Sequence, residues 1–130
     1  MTTELTVRVP NRVGQLAAIS GALGDAGVNI ATLSGSALGS KGVIHVVVAD
    51  KAAARARRAL KAAKLRVTSD RKVIEVRLAD KPGSLARLAK RLAKARVSVD
   101  SAYMLGTGKN STTFALGVKD TRKAKKALGR

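Results

Sequence analysis

Leu5-Thr-Val-Arg-Val-Pro-Asn-Arg-Val-Gly-Gln-Leu-Ala17 and Ile74-Glu-Val-Arg-Leu-Ala-Asp-Lys-Pro-Gly-Ser-Leu-Ala86 are two versions of one phrase, set 69 residues apart. Each runs from an alternating apolar segment, through a polar turn with glycine, into an apolar pattern spaced by three and four. That is a strand turning into a helix. The same offset pairs Leu23 with Leu92, Ala26 with Ala95, Val28 with Val97 and Ile30 with Val99. It slips by one near Asp50 and Asp120, each of which precedes a basic helical pattern, ending at Leu60 and Leu128. The chain is a duplication, and a fixed internal period governs the fold.

Working outward, Leu5, Val7 and Val9 predict a first strand, with Val73, Val76 and Leu78 less cleanly its copy. Leu16, Ile19, Ala22 and Leu23, and again Leu85, Leu88, Leu92 and Ala95, fall on one face of a helix. Gly27 reads as the residue just past the first helix end. Second strands are expected from Val28 and Val97. Gly39–Gly42 and Gly106–Asn110 are turn-rich and lead into third strands at Val43–Val48 and Thr112–Val118. Asp50 and Asp120 stand where a helix N-cap acceptor is expected. Leu65–Thr68 predicts a short fourth strand in the first repeat only.

Strand, helix, hairpin, helix, strand is the split βαβ of ferredoxin-like folds. The expectation is an α+β chain of two tandem ferredoxin-like βαββαβ units, residues 1–69 and 70–130. Their sheets are antiparallel, with helices on one face because the crossovers are right-handed. The second unit lacks its final strand, which leaves an edge for another segment or a second copy. A homodimer is the expectation.

Composition narrows the function. The chain has 130 residues, a net charge of +18 and no cysteine, so disulfides and thiolate chemistry are excluded. The first residues lack the pattern of a signal peptide, and no apolar run is long enough to span a bilayer, so a cytoplasmic location is expected. No phosphate-binding glycine loop, metal-ligand cluster or paired carboxylates stand out, so neither catalysis nor a metal or cofactor is expected.

The two turns resemble the ACT domain family. The residues that carry this are Val9-Pro-Asn-Arg-Val-Gly-Gln-Leu16 with Asp25-Ala-Gly-Val-Asn-Ile30, and Ala79-Asp-Lys-Pro-Gly-Ser-Leu85 with Ala95-Arg-Val-Ser-Val99. The family pattern is Asp/Asn-Arg/Lys-Pro-Gly-x-Leu at the turn and Gly-(Val/Ile)-Asn-Ile after the helix. The resemblance implies a regulatory module that binds a small effector, usually an amino acid, at interfaces between paired units. It implies a site at Asn11, Val13, Gly14, Gln15, Asn29 and Ile30 in the first copy. In the second copy it implies Asp80, Gly83, Ser84 and Ser98. Val13 replaces the usual Pro. Val9 stands where serine-binding members have His, which removes a polar contact to serine.

The chemistry suits a zwitterion. Helix-start N–H groups favour a carboxylate, and an Asn amide donates to a carboxylate while accepting from an ammonium group. Plainer readings stand beside this one. The glycines serve the turn geometry, Asn11 and Asp80 are N-cap types, and Asn29 or Ser98 could serve an interface. His45 reads as a sheet-face or dimer-interface residue, and Tyr103 with Phe114 as a cross-strand pair. The basic helices, with Arg55, Arg57, Arg58, Lys61 and Lys64, then Arg87, Lys90, Arg91 and Lys94, then Lys119–Arg130, keep open a weak, sequence-blind nucleic-acid contact. A purely structural module is the third alternative.

Overall fold

The computed structural model describes residues 1–129. Arg130, counted above in the basic tail, lies outside the described residues. The elements are β1 (Thr2–Pro10), α1 (Gln15–Asp25), β2 (Thr32–Leu38), β3 (Lys41–Ala49), α2 (Ala53–Ala62), β4 (Arg66–Ala79), α3 (Ser84–Lys94), β5 (Val99–Gly108), β6 (Ser111–Val118) and α4 (Thr121–Ala127). A short 3₁₀ turn, Asp50–Ala52, leads into α2. Two compact units divide at Lys72/Val73.

In the first unit the strand order is β2-β3-β1-β4. β1 and β2 each run antiparallel to β3, with Leu5 opposite Val46 and Gly35 opposite Ile44. Alternation puts Leu5, Val7, Val9, Ile44, Val46 and Val48 on one face. There they pack with Ile19 and Leu23 of α1 and Ala56 and Leu60 of α2. Both helices thus cover the same side, as right-handed crossovers require. The second unit repeats the scheme in the order β4-β6-β5. Ile74, Val76, Leu116 and Val118 pack with Leu88 and Leu92 of α3 and Ala124 of α4. Leu16 and Leu85, expected on the buried helix faces, are exposed. They stand in the first helical turn, over the strand–helix connection rather than over the sheet.

Four details differ from the sequence expectation. The fourth strand of the first repeat and the first strand of the second are one 14-residue strand, β4. Its residues to Lys72 belong to the first unit and the rest to the second. The second strands begin at Thr32 and Val99, not at Val28 and Val97, because those two valines still serve the helix ends. Val28 N–H donates to Leu23 O, and Val97 N–H to Leu92 O, each at 2.9 Å. Asp120 caps α4 by accepting from Lys123 N–H at 2.9 Å, but Asp50 makes no cap. Its Oδ1 instead accepts from Thr3 Oγ1 at 2.6 Å. Finally, Tyr103 is opposite Ala115 and Phe114 opposite Met104. A displacement of one residue turns them to opposite faces, so they form no pair. Phe114 joins the helix-side core.

The other face of the first sheet holds a polar cluster. Glu4 is 1% exposed there, and a buried carboxylate needs a partner. Arg71 Nε donates to its Oε1 at 2.9 Å. His45 Nδ1 is 3.9 Å from Oε2 and 3.0 Å from Thr6 Oγ1. His45 is therefore a sheet-face residue in a polar cluster.

Each helix that leads into a strand ends on a left-handed residue. It is Gly27 after α1, at φ 71°, but Lys64 after α2 and Arg96 after α3, both at φ 60°. A Cβ in that region costs about 1–2 kcal/mol. An added Cβ at Gly27 meets nothing within 4 Å, so only the backbone term applies. Gly27→Ala is expected to lower stability by about 1 kcal/mol and Arg96→Gly to raise it by up to about 1 kcal/mol. Urea unfolding of the two variants beside wild type measures both.

Candidate functional site

Each repeat turns from strand to helix through a glycine. Gly14 and Gly83 are the N-cap residues of α1 and α3, at φ 95° and 88°, and neither helix has a side-chain cap. Only glycine adopts that conformation without strain. Asn11 and Asp80 are therefore not N-caps. The Asn11 backbone N–H donates to Ser40 O, and that of Asp80 to Asn110 O, at 2.9 and 3.0 Å. In the first unit Asn11 goes further, and its Nδ2 donates to Gly39 O at 2.9 Å. The turn is thereby fastened to the tip of the β2–β3 hairpin.

This fastening walls off a groove of about 400 Å³ between turn and hairpin. Asn11, Arg12 and Gln15 are its polar lining, and Leu16, Leu33 and Ile44 are among its apolar lining. Gly35 and Gly42, one from each hairpin strand, also line it. A Cβ at Gly42 would sit 3.4 Å from Val9 Cγ2, and one at Gly35 would sit 3.5 Å from Ile44 Cγ1. Glycine inside a strand marks such close approach. That was the signal available in the sequence for this wall.

The structure brings Asn11 and Gln15 together at the groove, and adds Arg12, which sequence reasoning missed although it lies in the same turn. Val13, Gly14, Asn29 and Ile30 do not line it. Asn29 is exposed in the connection before β2. Space beside Gly14 is open, with nothing within 4 Å of an added Cβ. In the second unit Ser84 lines a separate hollow with Arg77, Lys81, Arg87 and Arg91. Asp80, Gly83 and Ser98 do not. Among the described residues no group of acids and histidine could hold a metal ion, and no helix is long and apolar enough to cross a membrane.

With this architecture in place the comparison with known proteins is direct. The ACT domain family model matches residues 3–64 and again residues 72–130. The chain belongs to the ACT domain family, whose domains are regulatory and non-catalytic and bind small molecules. A crystal structure from Bacteroides thetaiotaomicron is similar, with 21% identity and a TM-score of 0.83, covering 98% of this chain and 85% of the other. The regulatory subunit of aspartate kinase from Thermus thermophilus, in its ligand-free form, is similar at 16% identity and TM-score 0.74, covering 98% and 90%. That from Thermus flavus gives 15% and 0.73 with the same coverage. At such identities the likeness is one of fold. No curated protein matches the chain.

The two turns differ in how they are secured, and that difference is measurable. Asn11→Ala leaves Gly39 O without its donor and is expected to cost about 1 kcal/mol. Asp80→Ala, whose carboxylate holds no such bond among the described residues, is expected to change stability by less than about 0.5 kcal/mol. Chemical denaturation of both variants reads the contrast.

Proposed function

We propose that this protein binds a free amino acid with an apolar side chain in the groove beside Asn11. In this reading it works in the cytoplasm as a regulator in trans, with no catalysis of its own. The observation that carries the reading is the mixed polar and apolar lining of the groove. An Arg and two amides share the lining with the aliphatic residues Leu16, Leu33 and Ile44. The Arg12 guanidinium suits a carboxylate. The Asn11 and Gln15 amides can serve an ammonium group through their oxygens and the carboxylate through their nitrogens. Leu16, Leu33 and Ile44 suit an aliphatic side chain. The volume falls in the range of small-ligand sites. The regulatory role is supported by the family and by the Thermus regulatory subunits of the same fold.

A homodimer belongs to the same proposal. Leu16 at the groove, and Val13 and Leu38 in the adjoining turn and hairpin strand, are exposed. A second copy would cover apolar surface that otherwise faces water.

Calorimetric titration with each of the twenty amino acids is the test. An aliphatic amino acid is expected to bind, with affinity at least about tenfold weaker in Arg12→Ala or Gln15→Ala, roughly the loss of one good polar contact. Asn29→Ala is expected to leave it unchanged. Silence of the wild type toward all twenty at millimolar concentration sinks the reading. Equilibrium sedimentation tests the dimer, and a monomer at high protein concentration rejects it.

A further inference from the structure

A second hollow, of about 640 Å³, lies behind the same turn and is lined by five cationic residues with no acidic residue among them. Arg8 comes from β1, Arg12 from the turn, Lys41 from β3, Lys64 from the residues after α2, and Arg66 from the start of β4. Gln15 and Ser40 add neutral donors. Among the described residues none of the five takes part in an ion pair or a side-chain hydrogen bond. Four arginines of α2 and α3 behave differently. On α2, Arg57 pairs with Asp70 and Arg55 Nη2 donates to Gly27 O at 3.2 Å. On α3, Arg87 Nη2 donates to Ser84 Oγ at 3.3 Å and Arg91 Nη2 to Ala127 O at 3.0 Å. These four helix arginines are engaged within the fold, whereas the cations of the hollow are not.

Five cationic residues from different elements border one concavity, where like charges repel one another and the concave shape focuses their field outward. That arrangement is relieved by a multivalent anion. A carboxylate offsets one charge. A phosphate carries about −1.5 to −2 and offers several acceptor oxygens, and arginine forks bind it two oxygens at a time. No aromatic side chain lines the hollow, so nothing there stacks on a base, as binders of single-stranded nucleic acid do. The duplication supplies an independent observation. Arg8 and Arg12 correspond, 69 residues on, to Arg77 and Lys81, and these two line the hollow of about 410 Å³ in the second unit. There the additional cations are Arg87 and Arg91 of α3, from a different element but at the same turn. They are the arginines already engaged, so the second hollow is the weaker copy.

We infer that the hollow formed by Arg8, Arg12, Lys41, Lys64 and Arg66 is a site for a small molecule bearing two or more phosphate groups. It is distinct from the amino-acid groove, with which it shares a rim at Arg12 and Gln15. Recognition is by charge and phosphate geometry rather than by a base.

The experiment is isothermal titration of the full-length chain with inorganic pyrophosphate at about 0.15 M salt, where exposed long-range attraction is largely screened. Saturable binding is expected, at least tenfold weaker in the double variant Lys41→Gln/Arg66→Gln and nearly unchanged in Arg87→Gln. Lys41 and Arg66 lie outside the amino-acid groove, so the double variant should keep any amino-acid binding. That result, with an unchanged thermal melt, also shows that it is folded. Three results overturn the assignment. They are no saturable binding of pyrophosphate by wild type, equal binding by the double variant, or binding of a duplex DNA oligonucleotide that pyrophosphate fails to displace.

Discussion

The backbone at Gly14 and Gly83 bends through a region that side-chain-bearing residues avoid, and the rest of each unit follows from that bend. It sends the chain from a strand directly into a helix without spending a side chain on the helix start. Asn11 is thereby released from capping, and its amide reaches 28 residues along the chain to Gly39. The hairpin tip is held beside the turn, and the space between them becomes a groove rather than a gap. In the second repeat the same bend occurs with Asp80 in place of Asn11. The backbone tie to the hairpin persists but the amide tie does not.

Charge is distributed by a similar division of labour. The buried Glu4 is matched by Arg71 and His45 on the far face of the first sheet, where an isolated carboxylate would be costly. The arginines of α2 and α3 close helix ends and bridge elements. Arg8, Arg12, Lys41, Lys64 and Arg66, which take no part in those contacts, border the hollow behind the first strand–helix turn.

Much of the fold was legible because it is local. The glycine turns, the apolar stripe of Ile19 and Leu23, the helix stop at Gly27 and the cap at Asp120 are each set by residues a few positions apart. The continuity of β4 was not legible. Arg71, in the stretch between the two predicted strands, donates to Glu4, 67 residues earlier. The Asp50 carboxylate was likewise diverted by Thr3, 47 residues away. The candidate site divides in the same way. Asn11 and Gln15 follow from the turn motif. Arg12 was within reach of the same reasoning, but Leu33, Val43 and Ile44 reach the groove only through hairpin pairing. Asn29, prominent in the motif, stands apart from the groove because the helix end still occupies the backbone at Val28.

The placement of Tyr103 has a consequence for anyone who follows this molecule in solution. The chain has one tyrosine and no tryptophan, and that tyrosine is buried opposite Ala115 in the second repeat. Its near-ultraviolet emission is a built-in witness to the melting of one repeat alone. The other repeat, with its groove and its basic hollow, is optically dark and must be watched through its amides or through a label placed there by design.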